Sequence, residues 1–135
     1  MIILIVEDEP VLALTLEMDL SDAGFTVRGP VISHQAAIDL AKAGQIDLAL
    51  VNIDLKHGGS GIVLAGELLK RWKIPSVFVS GQRDDAFGNQ SVALGYISKP
   101  YDSRVVVACV KSVEKILAGN PDQSGMPKEL ELFDQ

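Results

Sequence analysis

Polar side chains stand directly after four apolar runs of the sequence, and their types suit the binding of a cation and an anion. They are Glu7 and Asp8, then Asn52, Ser80 and Lys99. Two adjacent carboxylates with a side-chain carbonyl opposite them form a hard-oxygen site of the kind that Mg²⁺ prefers. A hydroxyl and an ammonium close by would bind the oxygens of a phosphoryl group or a similar anion. This chemistry requires a fold that brings the five residues together.

Short apolar runs alternate with helical periodicity along most of the chain. Five runs are predicted as strands: Ile2–Val6, Phe25–Arg28, Asp47–Asn52, Pro75–Ser80 and Tyr96–Ser98. Five segments are predicted as helices, the fourth of them short: Pro10–Ala23, His34–Ala43, Ser60–Trp72, Asp84–Val92 and Asp102–Ala118.

This alternation predicts an α/β fold with a parallel sheet, because the first predicted strand is a continuous apolar run and the third is apolar throughout its middle, as strands buried on both faces are. Right-handed crossovers leave few topologies. The one with a switch point beside the first strand is the flavodoxin-like (βα)5 doubly wound parallel sheet, with strand order 2-1-3-4-5. Ligands of such sheets bind at the carboxyl ends of the strands, which is where the polar residues lie.

The composition excludes several classes of protein. The chain has 135 residues and a formal net charge of −6, which argues against a basic face that binds nucleic acid. Its single cysteine, Cys109, cannot form an internal disulfide, and no Cys/His set for zinc is present. No apolar run reaches the roughly 20 residues of a membrane span, and the N-terminus lacks the basic segment of a signal peptide. We therefore expect a cytoplasmic protein with one domain, residues 1–118, and a short C-terminal tail, residues 119–135.

Four motifs at the predicted strand ends resemble the receiver domain of bacterial two-component response regulators. They are LIVEDEP after the first strand, DLALVNIDL across the third, VFVSG at the fourth and GYISKPY at the fifth. The resemblance extends from residue 1 to about residue 118. It implies a response regulator in a phosphorelay with His-to-Asp phosphotransfer, with Mg²⁺ as its cofactor and a signalling rather than an enzymatic activity.

The resemblance also implies which residues hold the metal. Glu7 and Asp8 match the acidic pair that binds Mg²⁺, with Asp8 as a direct ligand and Glu7 acting through water. The backbone carbonyl of Asp54 matches a further protein ligand. Asn52 stands where the family has its phospho-accepting aspartate, and it would complete the metal site.

On the opposite side of the site, the resemblance implies the phosphoryl contacts and the conformational switch. Ser80 matches the hydroxyl that contacts the phosphoryl group and couples it to the switch. Lys99 matches the lysine that pairs with a phosphoryl oxygen, and Lys99–Pro100 would be a cis peptide. Tyr96 matches the aromatic residue that changes rotamer on activation.

Asn52 is the departure from the family pattern that decides the function. An aspartate carboxylate attacks the phosphorus of a phosphohistidine, whereas a neutral amide oxygen is a far poorer nucleophile. We therefore expect ordinary phosphotransfer to fail and, because one negative charge is lost, Mg²⁺ binding to be weakened. The chain is either a natural pseudo-receiver or an engineered Asp→Asn variant. Asp54 is a less favoured stand-in acceptor, because it lies two residues beyond the strand end.

The expected partners are a sensor histidine kinase or a histidine phosphotransfer protein and a downstream protein target. The face formed by the fourth helix, fifth strand and fifth helix is the candidate surface for a homodimer, and no nucleic acid or membrane partner is expected. An alternative is a phosphorylation-independent protein-interaction module. An unrelated flavodoxin-like enzyme or cofactor binder is disfavoured, because no nucleophile–base pair and no flavin or dinucleotide loop is visible.

The tail breaks the α/β pattern with Gly, Pro and Ser residues. It is too short for an output domain, which predicts a stand-alone receiver. Its end fits either a helical turn, through Leu130 and Phe133, or an extended segment, through the alternation of Leu130 and Leu132. It is therefore either a frayed terminus or a segment whose apolar residues dock onto the domain or a partner.

Overall fold

The computed structural model describes residues 1–55, 60–81, 83–120 and 123–133. The strands in this part of the chain are β1 (Ile2–Val6), β2 (Thr26–Val31), β3 (Leu48–Val51), β4 (Ser76–Ser80), β5 (Gly95–Ser98) and β6 (Leu130–Leu132). The helices are α1 (Pro10–Asp22), α2 (His34–Ala43), α3 (Gly61–Trp72), α4 (Arg83–Phe87) and α5 (Ser103–Leu117), and a 3₁₀ turn spans Gln90–Val92. None of the described helices has the length and apolar character needed to cross a membrane.

The strands form one sheet in the order β2-β1-β3-β4-β5-β6. The first five strands are parallel, and β6 runs antiparallel to β5. The predicted fold class and the strand order 2-1-3-4-5 are thereby confirmed. The sixth strand is an addition that comes from the segment after residue 118.

Helices cover both faces of the sheet and divide most of the core into two clusters. Ile3 and Ile5 of β1 pack with α1 and α5 on one face, whereas Leu4 and Val6 pack with α2 and α3 on the other. Successive side chains of a strand point to opposite faces. Burial on both faces therefore requires β1 to be apolar along its whole length. The first polar residues, Glu7 and Asp8, follow directly after the strand ends.

Side-chain caps fix where three of the helices begin. The Ser33 hydroxyl accepts a hydrogen bond from the backbone N–H of the third residue after it, and Ser60 and Asp102 accept from the second residue after each. Such caps satisfy backbone donors that have no partner within the helix. Asn52 and Asp54 lie between β3 and the cap of α3, and Lys99 lies between β5 and the cap of α5.

Most elements agree with their predicted bounds to within one residue at each end, and two differ by more. β2 continues to Val31 through Gly29–Pro30, whose peptide bond is cis, and the pairing register with β1 shifts at this point. The Gly-Pro pair breaks a regular strand pattern, but it is tolerated here because β2 lies at the edge of the sheet. The predicted helix over residues 84–92 is instead the five-residue α4 followed by the 3₁₀ turn.

Residues Leu130–Leu132 adopt the extended one of the two conformations that fit their sequence. Leu130 pairs with Ile97 and Leu132 with Gly95. Gly95 allows this close approach, because a Cβ atom at this position would lie 2.6 Å from the backbone oxygen of Glu131. The apolar side chains of Leu130 and Phe133 are buried.

Candidate functional site

The carboxyl ends of the parallel strands meet at one edge of the sheet and form an open cleft of about 350 Å³. Its lining residues are Asp8, Glu9, Asn52, Asp54, Ser80, Gly81 and Lys99. Glu7 is buried beside the cleft, in contact with Asn52 and Lys99. The fold thus brings together the five polar residues whose chemistry the sequence singled out.

Asn52 is 5% exposed and its side-chain amide lies against the acidic pair. Its Nδ2 lies 3.2 Å from Oε2 of Glu7, 3.2 Å from Oδ1 of Asp8 and 3.0 Å from the backbone oxygen of Asp54. Its Oδ1 accepts a hydrogen bond from the Asp54 backbone N–H at 3.3 Å. The amide N–H groups therefore donate to acidic oxygens that would otherwise need a cation.

Lys99 also offsets negative charge at the site, because it pairs with two carboxylates. Its Nζ lies 2.8 Å from Oε1 of Glu7 and 3.2 Å from Oε1 of Glu9. Burial disfavours the charged ammonium, but the hydrogen bonds and charges of the two carboxylates more than offset this, so the pKa of Lys99 is raised above its usual value. Lys99 therefore remains a cation at neutral pH and stays anchored to Glu7.

Tyr96 connects β5 to the end of β4. Its side chain is 1% exposed, and its hydroxyl donates a hydrogen bond of 2.7 Å to the backbone oxygen of Ser80. The ring is thus turned into the protein rather than towards solvent. This places the predicted switch residue in direct contact with the residue that carries the predicted phosphoryl-binding hydroxyl.

We expect Tyr96→Phe to lower the free energy of unfolding by about 1 kcal/mol, because the buried Ser80 carbonyl loses this donor and keeps the backbone N–H of Lys99, whose nitrogen lies 2.9 Å away. The matched control is Tyr101→Phe. The Tyr101 hydroxyl is also buried, but it has no hydrogen-bond partner among the described residues. Its removal should be neutral or stabilising. Urea unfolding of both variants checks the pair, and an equal loss in the two would contradict the assigned contact.

The oxygen atoms at the cleft can hold a divalent cation in one of the two orientations of the Asn52 side-chain amide. The Asp8 carboxylate and the Asp54 carbonyl both contact Nδ2 of Asn52, so an amide nitrogen stands where Mg²⁺ would require an oxygen. Rotation of the amide about its last side-chain bond would present Oδ1 instead. The residues can then supply three oxygen ligands, but the hydrogen bonds from Nδ2 to the acidic pair are lost.

Two residues of the site were not singled out from the sequence. Glu9 lines the cleft and pairs with Lys99, although it follows the acidic pair immediately in the sequence. Tyr101 lines a neighbouring cavity with Glu9, Leu12, Lys99 and Pro100. Burial and the negative charges of Glu7 and Glu9 raise the pKa of the Tyr101 hydroxyl. The peptide bond between Lys99 and Pro100, which also line this cavity, is cis.

Comparison with known families decides what kind of domain this is. The family model of the response regulator receiver domain matches residues 3–111. The chain is a response regulator receiver domain. Receiver domains are signalling modules of two-component systems, generally bind Mg²⁺ at the acceptor site, and interact with histidine kinases or phosphotransfer proteins and with downstream effectors.

Individual relatives agree with this assignment. The phyllosphere-induced regulator PhyR of Methylorubrum extorquens is 30% identical over 110 residues, which are 80% of this chain and 41% of PhyR. The receiver domain therefore spans less than half the length of this curated relative. The receiver domain of the TMAO respiratory system response regulator TorR superposes with a TM-score of 0.77 at 28% identity, over 86% of this chain and 98% of that one.

A third relative is similar in fold. The signal receiver domain of a modulated diguanylate cyclase from Desulfovibrio desulfuricans G20 superposes with a TM-score of 0.75 at 28% identity. The match covers 88% of this receiver domain and 94% of the relative.

Proposed function

We propose that this receiver domain works in phosphorelay signalling without accepting a phosphoryl group, and that it acts through the partners it binds. The observation that carries the proposal is the position of Asn52. Its amide lies at the end of β3, within 3.2 Å of the acidic pair, where the family's acceptor carboxylate would stand. An amide carries no negative charge and is too weak a nucleophile to displace a histidine from phosphorus.

The same residue would weaken the binding of Mg²⁺. Within residues 1–55, 60–81, 83–120 and 123–133, no group of three or more His, Cys, Asp or Glu side chains is placed to hold a metal ion. The metal would be held by Asp8, Asn52 and the Asp54 carbonyl, with Glu7 behind them. Mg²⁺ would have to replace the hydrogen bonds of the Asn52 amide and would find one carboxylate fewer than in a receiver with aspartate at this position.

A second candidate is a module that binds its partner irrespective of phosphorylation. The hydrogen-bond network of the cleft favours this candidate, because Glu7 is paired with both Lys99 and Asn52, and Asp8 with Asn52. The acidic oxygens thus have donors in the absence of a cation. A domain used only for binding would need such a stable resting site.

The partners we propose are a sensor histidine kinase or a histidine phosphotransfer protein and a downstream protein target. A homodimer through α4, β5 and α5 would have to include β6, since β6 pairs with the outer edge of β5. Ser80 and Lys99 are the proposed phosphoryl contacts in a variant that accepts a phosphoryl group, and Tyr96 is the proposed switch.

The proposal is tested by intact mass measurement after incubation with phosphoramidate and Mg²⁺. We expect no gain of about 80 Da in the unsubstituted chain and a stoichiometric gain in Asn52→Asp, whose carboxylate can form the acyl phosphate. Asn52→Asp/Asp54→Asn is the matched control and should gain the same mass. A stoichiometric adduct on the unsubstituted chain that disappears in Asp54→Asn would show that Asp54 is the acceptor and contradict the proposal.

Phosphotransfer from a phosphorylated histidine phosphotransfer protein separates the two candidate functions. A domain of a phosphorelay should accept the phosphoryl group once Asn52→Asp restores the carboxylate. If Asn52→Asp reacts with phosphoramidate but with none of the phosphotransfer proteins of its source organism, the interaction module is the better description.

A further inference from the structure

The C-terminal strand β6 is anchored to the outer edge of β5 by two buried side chains. Leu130 and Phe133 are 3% and 6% exposed. The backbone N–H of Phe133 donates a hydrogen bond of 2.8 Å to the oxygen of Leu94, just before β5. Residues 130–133 therefore satisfy a sheet edge, with Leu130 packed in the core cluster of α1 and α5 and Phe133 in the apolar pocket beside Tyr96.

An uninterrupted series of contacts leads from this strand to the functional cleft. The ring of Phe133 meets the ring of Phe87 edge-on, with centroids 5.1 Å apart, and Phe87 meets Tyr96 in the same way at 6.0 Å. The Tyr96 hydroxyl in turn donates to the backbone oxygen of Ser80, which lines the cleft. Phe133 thus supports the packing that keeps Tyr96 turned inwards.

A charged contact ties the same strand to α4. The Arg83 guanidinium lies 3.3 Å from Oε1 of Glu131 and stacks over the Phe87 ring at 4.2 Å. Helix α4 has only five residues, so its position depends on contacts outside the helix. Strand β6 therefore holds α4 both through the aromatic side chain and through the ion pair.

We propose that the outer edge of β5 and the pocket beside Phe87 and Tyr96 form a strand-docking site, that residues 130–133 of the chain are its occupant, and that this occupancy holds Tyr96 against Ser80. The site accepts an extended segment antiparallel to β5, with apolar side chains at positions 130 and 133 and an acidic one opposite Arg83. Release of β6 and rearrangement of Tyr96 are then energetically linked in both directions. The docking does not depend on a phosphoryl group, so it goes beyond the proposed signalling function.

Gly95 offers a way to displace β6 without changing its sequence. A Cβ at Gly95 would lie 2.6 Å from the backbone oxygen of Glu131 and 3.3 Å from Cα of Leu132, so Gly95→Ala must push the strand away. The matched control is Gly66→Ala. A Cβ there would meet a single side-chain atom of Val92 at an ordinary contact distance of 3.5 Å.

The first experiment reads the environment of Tyr96 directly. The chain contains two tyrosines, so ¹⁹F NMR of the fluorotyrosine-labelled protein gives two resonances, assigned with Tyr101→Phe. In both Gly95→Ala and Phe133→Ala we expect the Tyr96 resonance to shift or broaden and hydrogen exchange of the residue-133 amide to become roughly tenfold faster or more. Gly66→Ala should leave both unchanged. An unchanged Tyr96 resonance alongside faster exchange, or unchanged exchange in both variants, would overturn the proposal.

The second experiment supplies the occupant separately. Leu130→Ala/Phe133→Ala removes both buried anchors of β6, and the probe is a synthetic peptide of residues 126–133. Addition of this peptide should return the Tyr96 resonance to its position in the unsubstituted protein. A peptide with the same two alanine substitutions should have no effect. Failure of the first peptide to restore the resonance, or restoration by both peptides, would contradict a docking site of this specificity.

Discussion

Asn52→Asp is expected to lower the free energy of unfolding by about 2–4 kcal/mol when no divalent cation is present. In the unsubstituted chain, Nδ2 of Asn52 lies 3.2 Å from carboxylate oxygens of both Glu7 and Asp8, and hydrogen bonds to charged groups contribute about 1.5–3 kcal/mol each. The variant replaces this donor with a third carboxylate beside those of Glu7 and Asp8, in a cleft whose described lining has Lys99 as its cationic side chain. Urea unfolding in the presence of EDTA measures the loss.

Mg²⁺ should reverse most of this loss in the variant. A ligand present at 100 times its dissociation constant stabilises the folded state by about 2.7 kcal/mol. The unsubstituted chain should respond much less to the same Mg²⁺ concentration. Asn120→Asp, which makes the same chemical change at an exposed position, serves as the control and should show no such response. If Asn52→Asp matches the unsubstituted chain in EDTA and ignores Mg²⁺, the amide does not have the role assigned to it.

Lys99→Met is expected to lower the free energy of unfolding by about 3 kcal/mol. Lys99 Nζ lies 2.8 Å from Oε1 of Glu7, and the side chain of Glu7 is 2% exposed. Removal of the ammonium takes the cationic partner from Oε1 of Glu7, whereas Oε2 keeps the Asn52 amide and the Glu9 backbone N–H as donors, and the loss of one partner of a buried ion pair is costly. The control is Lys111→Met, at an exposed position of α5, which should change stability by about 0.5 kcal/mol or less.

The double variant Glu7→Gln/Lys99→Met isolates the pair. It should recover part of the stability lost in Lys99→Met, because the uncompensated charge is removed.

The pH dependence of the unfolding free energy tests the same ion pair independently. A raised pKa means that Lys99 stabilises the fold fully below about pH 10.5, and that this contribution is lost as the pH rises above that value. The unsubstituted chain should therefore lose stability more steeply above pH 10.5 than Lys99→Met does, and parallel profiles would contradict the ion pair.

The location of the cleft could be predicted from the sequence because each polar residue stands at the end of an apolar strand. Once Asp8 and Asn52 are assigned to the ends of adjacent parallel strands, the sheet places them side by side. In the structure, Nδ2 of Asn52 lies 3.2 Å from Oδ1 of Asp8. What the sequence does not specify is the direction of each polar group. The family resemblance implies that Asn52 offers an oxygen to a metal, whereas in the structure its nitrogen donates to the acidic pair.

Contacts between segments that are far apart in the sequence could not be predicted either. Glu9 pairs with Lys99 across 90 positions of the chain, and no local pattern marks this contact. The segment Leu130–Leu132 alternates as a strand does, but it is too short for its pattern to exclude a helical turn. Its conformation is decided by Gly95, which lets another backbone approach, and by the pocket that receives Phe133. Both features are set by tertiary packing.

Strand β6 also determines what the sheet presents to other molecules at its ends. Without it, β5 would end the sheet with three buried residues and unpaired backbone groups, a template for association with another chain. With it, that end is a strand of three residues carrying Glu131, and the opposite end, β2, contains Pro30, which has no N–H to donate. We therefore expect residues 130–132 to protect this edge of the sheet from association with other chains, and their removal to reduce solubility even where the fold survives.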